Sequence, residues 1–227
     1  MRQLAKALAV AALLVGAATS SQAAFVTYTD EIPLTGTNWN DILTVQQFDP
    51  GLGTLTSINF KLYGYVEGDV QFESLDNEPA TVTTELSARI TLKRPDNSTL
   101  VVTTPLHETQ DDVTAYDGVL DYGGTSGRSY FNLEADDVDE ANSPPPPSDL
   151  ILFTGLGTID LPVSAEARSL ASGAGNLDAR FRTTAGAMVE VTYYYATSQP
   201  IPEPSSLALV LVGGGVVALG ARLRRRK

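Results

Sequence analysis

The chain has 227 residues, no cysteine, one histidine and a formal charge of −12. Without cysteine there is no disulfide framework, no thiol nucleophile and no Cys-ligated metal. Seven of the 15 basic residues lie in the two ends, so residues 24–200 carry eight basic against 26 acidic residues, a formal charge of −18; this excludes nucleic-acid binding, because nothing there neutralises phosphates.

The N-terminus reads as an export signal. Arg2 and Lys6 form a basic region, Leu8 to Ala18 an apolar one, and Ser21-Gln22-Ala23 a small-x-small cleavage site. Signal peptidase is expected to cut after Ala23, with Ala24 as the second choice. Residues 1–23 are then a signal peptide, expected as a helix. Residues 24–198 form an exported domain, long enough for one ordinary core.

Between residues 25 and 200 helical periodicity is nearly absent. Short runs rich in Thr, Val, Ile, Leu and Tyr are broken by Gly, Pro, Asn and Asp, a strand-and-turn texture. A strand is expected at Asn40–Gln47. Ser57 to Val66 places Ile58, Phe60 and Leu62 on one face, and a separate strand follows at Val70–Leu75. Thr81 to Lys93 carries Val82, Leu86, Ala88, Ile90 and Leu92. Arg94-Pro95-Asp96-Asn97-Ser98 then turns the chain, with Pro95 preset for the second turn position and Asn97 tolerant of a left-handed backbone. Thr99 to Thr103 returns to complete a hairpin. Further strands are expected at Tyr116–Tyr122, Gly127–Leu133, Leu150–Leu161, Asp178–Thr184 and Ala187–Ala196. This spacing predicts an all-β antiparallel β-sandwich, with a barrel as the alternative. A membrane β-barrel is disfavoured, because the strands are too few and too uneven for an aromatic-girdled lipid face.

Little in this region points to catalysis. His107 follows Pro105 and is expected in a loop. No Gly-x-Ser-x-Gly elbow accompanies it, and no motif selects a carboxylate pair for glycoside hydrolysis. The chain is therefore expected not to be an enzyme. The acidic run Glu134 to Glu140 is the candidate metal site: calcium takes several oxygen ligands from a flexible loop, and Asp136, Asp137, Asp139 and Glu140 would supply them. The EF-hand pattern is missing. The plainer reading is a solvated loop, continued by the polyproline stretch Ser143 to Ser148. Asp111-Asp112 is a second acidic candidate. No other cofactor is expected. In Tyr193-Tyr194-Tyr195, strand alternation puts Tyr194 on one face and its neighbours on the other. The readings are one buried and one shielding face, or an exposed platform for sugar stacking. Trp39, the only tryptophan, could serve either way, with burial the plainer reading.

The tail has three parts. Prolines at 200, 202 and 204 forbid a continuous helix. Residues 205–221 carry no charge, and about 17 residues of helix span roughly 26 Å, close to a bilayer core once flanking basic side chains snorkel. This predicts a C-terminal transmembrane helix. Arg222, Arg224, Arg225, Arg226 and Lys227 then form a basic stop that keeps the C-terminus cytoplasmic.

Pro202-Glu203-Pro204-Ser205, the short apolar segment and the arginine-rich end resemble the PEP-CTERM sorting signal of Gram-negative bacteria, here over residues 199–227. The same tail is also known as the ice-binding protein C-terminal domain, a name that does not establish ice binding. The usual motif opens with valine, where this chain has Ile201. The resemblance implies recognition by an exosortase, a membrane transpeptidase, with cleavage near Pro-Glu-Pro; these residues are then substrate, not active site. A second resemblance rests on Phe48 to Leu55, Asp76 to Val82 and Asp117 to Gly127, which look like the choice-of-anchor E domain over roughly residues 27–196. It implies an exported domain and supplies no catalytic residues.

These readings converge on a non-enzymatic, exosortase-sorted protein of the cell surface or extracellular matrix, structural or adhesive in an exopolysaccharide biofilm. The alternative is a carbohydrate- or calcium-dependent binding module, with a glycan hydrolase as a remote third. The expected precursor is a single-pass membrane protein with a periplasmic domain, and the mature form lies at the surface or outside the cell. Expected partners are signal peptidase, exosortase, the membrane and extracellular polysaccharide.

Overall fold

The computed structural model describes residues 23–143 and 148–197, of which Ala23–Ala196 form a compact unit. The expected signal helix, the transmembrane segment at 205–221, the sorting motif with its basic stop and most of the proline stretch lie outside the described residues. Among the described residues no helix is long and apolar enough to cross a membrane.

Ten strands and one short helix make up the unit: β1 (Ala23–Gly36), β2 (Trp39–Gln46), β3 (Gly53–Ser74), β4 (Ala80–Lys93), β5 (Thr99–Thr103), β6 (Leu106–Val113), β7 (Gly127–Ser143), α1 (Ser148–Leu152), β8 (Thr158–Ala167), β9 (Leu170–Ser172) and β10 (Leu177–Thr197). The first sheet has the order β1-β10-β3-β7 and the second β2-β8-β4-β5, with β6 and β9 also paired to β4. The pairing is nested. β1 pairs with β10, β2 with β8, β3 with β7, and β4 with both β5 and β6, all antiparallel. A single long antiparallel ribbon has thus been rolled over itself, so that β10 meets β3 and β8 meets β4. This is a jelly roll, one of the two-sheet solutions for an all-β chain. The expected sandwich is borne out, and its topology is sharper than the sequence indicated.

The core follows the alternation. Ile58, Phe60, Leu62, Val66 and Val70 point inward from β3, and Leu86, Ala88, Ile90 and Leu92 from β4. Leu43 and Val45 of β2, Leu161 and Val163 of β8, and Val189, Val191 and Tyr193 of β10 complete the contact between the sheets. The expected β4–β5 hairpin forms as read. Asn97 sits at φ 68°, and the Asn97 N–H donates to the Arg94 carbonyl at 2.8 Å.

Several expectations are corrected. Strands 57–66 and 70–75 are one strand with a bulge between Gly68 and Val70. Strands 178–184 and 187–196 are likewise one. The glycines that suggested breaks mark close approach instead. A Cβ at Gly68 would strike the Arg182 carbonyl, and one at Gly186 would press on the β1 backbone at Ile32 and Leu34. Residues 116–122 form no strand, because Gly118 (φ 96°) and Tyr122 (φ 58°) bend the chain. Asp117 and Asp121 close local turns there by accepting the Val119 and Gly123 N–H groups. Leu150–Leu161 divides into α1 and β8, since Leu150 and Phe153 at helical spacing both turn to the core. The acidic run is not a loop but part of β7, and His107 lies on β6. Strand β1 was not anticipated.

The two open sides of the sandwich are each closed by a carboxylate. Asp30 of β1 accepts the Thr44 N–H of β2 at 2.7 Å, and Asp137 of β7 accepts the Thr104 N–H beside β5 at 2.7 Å. His107 adds to the second seam. Its Nδ1 lies 2.9 Å from the Glu134 carbonyl oxygen, which can only accept, so that nitrogen carries the proton.

Candidate functional site

The outer face of the first sheet has cross-strand rows fixed by register. Phe25 faces Tyr194, Thr29 faces Glu190 and Glu31 faces Met188 on the β1–β10 side. Lys61 faces Glu140, Tyr63 faces Val138, Tyr65 faces Asp136 and Glu67 faces Glu134 on the β3–β7 side. Lys61 lies 5.1 Å from the Tyr63 ring centroid. Hydrogen bonding to Tyr63 and the nearby Glu190 and Glu140 carboxylates hold its ammonium above the ordinary lysine range.

One groove is built into this face. The β1 bulge between Ile32 and Thr35 carries Leu34 over side-chain-free Gly186. Leu34, Tyr65, Glu67, Glu134 and Asp136 line a groove of about 430 Å³. Tyr65 is raised above the ordinary phenol range, first by burial and then by Tyr63, Asp136 and Glu31. Glu67 and Glu134 are directly opposite, an arrangement of like charges that costs stability on a sheet. A second cavity, about 500 Å³ and mostly polar, lies among Asn38, Trp39, Ser164, Glu166 and Arg168.

The four candidate calcium ligands are divided by the alternation of β7. Asp137 and Asp139 are in register with core-facing Gly64 and Leu62, whereas Asp136 and Glu140 are in register with outward Tyr65 and Lys61. Asp137 already accepts the Thr104 N–H, and Glu140 accepts from Asn59 Nδ2 at 3.4 Å. No group of three or more His, Asp or Glu suited to a metal ion occurs among the described residues. The Asp111-Asp112 pair is split in the same way: Asp111 accepts from the Tyr130 hydroxyl at 2.7 Å and Asp112 from the Thr81 hydroxyl at 2.7 Å.

The tyrosine triplet alternates as read. Tyr193 is fully buried and donates its hydroxyl to the Gln46 carbonyl at 2.8 Å, and Tyr195 packs on Phe48 with ring centroids 5.1 Å apart. Burial holds the Tyr193 phenol far above its ordinary range. Tyr194 is 42 % exposed and meets Phe25, so the platform is this pair and not the triplet. Trp39 is half-buried against the core and donates Nε1–H to the Ala185 carbonyl at 3.2 Å.

Two features gave no sequence signal. The groove depends on the β1 bulge and on register between distant strands. At the far end, Glu73 is fully buried. Its Oε1 accepts from the Ser126 hydroxyl, while Oε2 has no hydrogen-bond partner and lies where a Cβ at Gly127 would strike it. This pair latches the 114–126 segment onto the sheet. Beside it the Arg180 guanidinium sits 4.5 Å from the Tyr122 ring, and the Tyr122 hydroxyl donates to Asp178 at 2.8 Å.

The tail is decided by comparison with known families, where a model of the PEP-CTERM protein-sorting motif matches residues 200–226. The tail is a PEP-CTERM sorting motif. The PEP-CTERM chain is therefore an exported exosortase substrate whose precursor is anchored in the membrane. No curated protein matches it. Among solved structures, it is similar to a mutant VP2 protein of infectious bursal disease virus in T=1 particles, at 15 % identity and TM-score 0.18, with 95 % of this chain and 53 % of that one covered. A VP2 subviral particle of the same virus gives 13 % identity, TM-score 0.18 and coverage of 97 % and 54 %. The PEP-CTERM chain thus spans about half the length of these structures. Identity and superposition are too low for them to say anything about its role.

Proposed function

We propose that the PEP-CTERM chain is a non-enzymatic surface or matrix protein, structural or adhesive in an exopolysaccharide biofilm, with a choice-of-anchor E type body. The sorting motif carries this reading, because it makes the jelly roll an exported cargo. Further support comes from the carboxylates of the body. Asp30, Asp76, Asp111, Asp137 and Asp178 each hold a structural hydrogen bond, and His107 is committed to the Glu134 carbonyl. Intact mass of the protein from envelope and medium fractions of its host tests the sorting: both ends should be lost. A screen of the mature form for glycan and ester turnover tests the non-enzymatic part, and turnover at an ordinary enzymatic rate would refute it.

A second reading has one observation of its own. The groove beside Tyr65 joins an aromatic ring, an aliphatic wall and hydrogen-bonding carboxylates, the lining that sugar-binding sites use. Titration with a glycan panel, with and without calcium, should give saturable binding that Tyr65→Ala abolishes. No saturation with any glycan would leave the structural role alone.

A further inference from the structure

We infer that one end of the jelly roll is a lipid-docking surface, which rests on the bilayer while the PEP-CTERM tail anchors the precursor. Ala23 pairs with Ala196, so the chain enters and leaves the body at the same end. Around that exit lie Ile151 at 81 % exposure, Leu156 at 82 % and Leu52 at 41 %, while Phe25 is exposed on the outer face of the first sheet beside Tyr194. The loops that carry Leu52, Ile151 and Leu156 are joined. Gln47 Nε2 donates to the Leu152 carbonyl at 2.9 Å, the Gly155 N–H donates to the Phe48 carbonyl at 2.9 Å, and Phe48 packs on Tyr195. Isolated exposed apolar side chains need no explanation, but a group of them on a body this acidic marks an interaction surface.

The covalent chain selects the partner. Only ten Cα steps separate Thr197 from Leu207, where the apolar run begins. Even fully extended they reach about 35 Å, roughly half the length of 22-residue β3 at about 3.3 Å per residue. That is the most by which the chain can separate the exit from the start of the apolar run. The Asp149 carboxylate at this end is buried against Arg94 at 2.8 Å. Asp49, in the loop that carries Leu52, and exposed Asp96, in the turn after Arg94, also lie at this end. At the far end, away from the tether, the exposed pair Val119 and Leu120 is flanked by Asp117 and Asp121. The inference stands apart from the adhesive role proposed above.

The test uses the full chain in phosphatidylcholine vesicles without exosortase. Because the chain lacks cysteine, Ile151→Cys, Leu156→Cys and Val119→Cys each give a single site for a polarity-sensitive fluorophore. Emission from positions 151 and 156 should shift to the blue and be quenched by lipids spin-labelled near the headgroup, while position 119 stays water-like. A probe at Leu52→Cys should behave like the first two, and should return to water-like emission when Ile151→Asp and Leu156→Asp are combined. Both side chains project into solvent, so this variant keeps the fold, which circular dichroism verifies. Water-like emission at 151 and 156 would overturn the inference. So would a shift that vanishes as protein is diluted into more lipid, since a second copy would then be the partner.

Discussion

Arg94 shows what one residue holds at the chain-exit end. Its Nε and Nη2 bind Asp149 at 2.8 and 2.9 Å, with the carboxylate 1 % exposed and the arginine 17 %. The same guanidinium reaches Ser98 and the Thr99 carbonyl, so it ties the hairpin turn to α1. The Asp149 hydrogen bond holds Arg94 above its already high range. Removing one partner of such a buried pair costs about 3 kcal/mol, because the other charge is left without its counterion. Arg94→Ala should lower the urea midpoint accordingly, and Arg94→Lys should recover only part of it, since lysine lacks the two-pronged geometry. Tyr130 gives the clearest pH signature. Burial, then its bond to Asp111, pushes its phenol up to about 12. A group raised above its unfolded value of about 10 contributes fully below that value and loses its contribution as pH climbs to the folded one. Stability should fall from pH 10 to 12, where buried Tyr193 contributes as well, and Tyr130→Phe should make that part of the curve shallower. An unchanged slope would show that another group is responsible.

Strand β7 illustrates what an element must manage. It is the edge of the first sheet, 17 residues long, and a bare edge of that length invites pairing with other chains. Its run of Glu134, Asp136, Asp137, Asp139 and Glu140 supplies the charge that prevents this, while Asp137 also closes the seam to β5. The two roles separate by mutation. Asp136→Asn, Asp139→Asn and Glu140→Gln together should leave the thermal midpoint nearly unchanged yet accelerate aggregation, followed by light scattering at fixed ionic strength. Asp137→Ala should instead cost about 1 kcal/mol, the usual net worth of a hydrogen bond whose donor can turn to water. The acidic pattern was visible in the sequence, but its meaning was not. Calcium ligation needs the carboxylates to converge, and a strand sends neighbouring side chains to opposite faces. Reading the run as a loop hid that alternation.

At the scale of the molecule, the nested ribbon joins the first strand to the last. Of its principal pairings only β4 with β5 and with β6 connects near neighbours; β1–β10, β2–β8 and β3–β7 span long stretches of chain. Loop-closure entropy must be overcome before such contacts stabilise anything, which places folding in the millisecond-to-second range. Stopped-flow refolding should show this, and a microsecond phase carrying the full amplitude would contradict it. The same topology explains where sequence reading succeeded. Alternation of Ile58, Phe60 and Leu62, the Pro95–Asn97 turn and the three-part tail are local patterns, and each is set by backbone sterics or side-chain transfer over a few residues. Those determined the β class, one hairpin and the sorting route. What only the tertiary structure decided is non-local: the pairing of β1 with β10, the fusion of strands across Gly68 and Gly186, the groove beside Tyr65 and the apolar end around Ile151 and Leu156. The reason is physical. Glycine is equally suited to a break and to close backbone approach, and an exposed leucine reads the same as a buried one until the fold brings its neighbours to it.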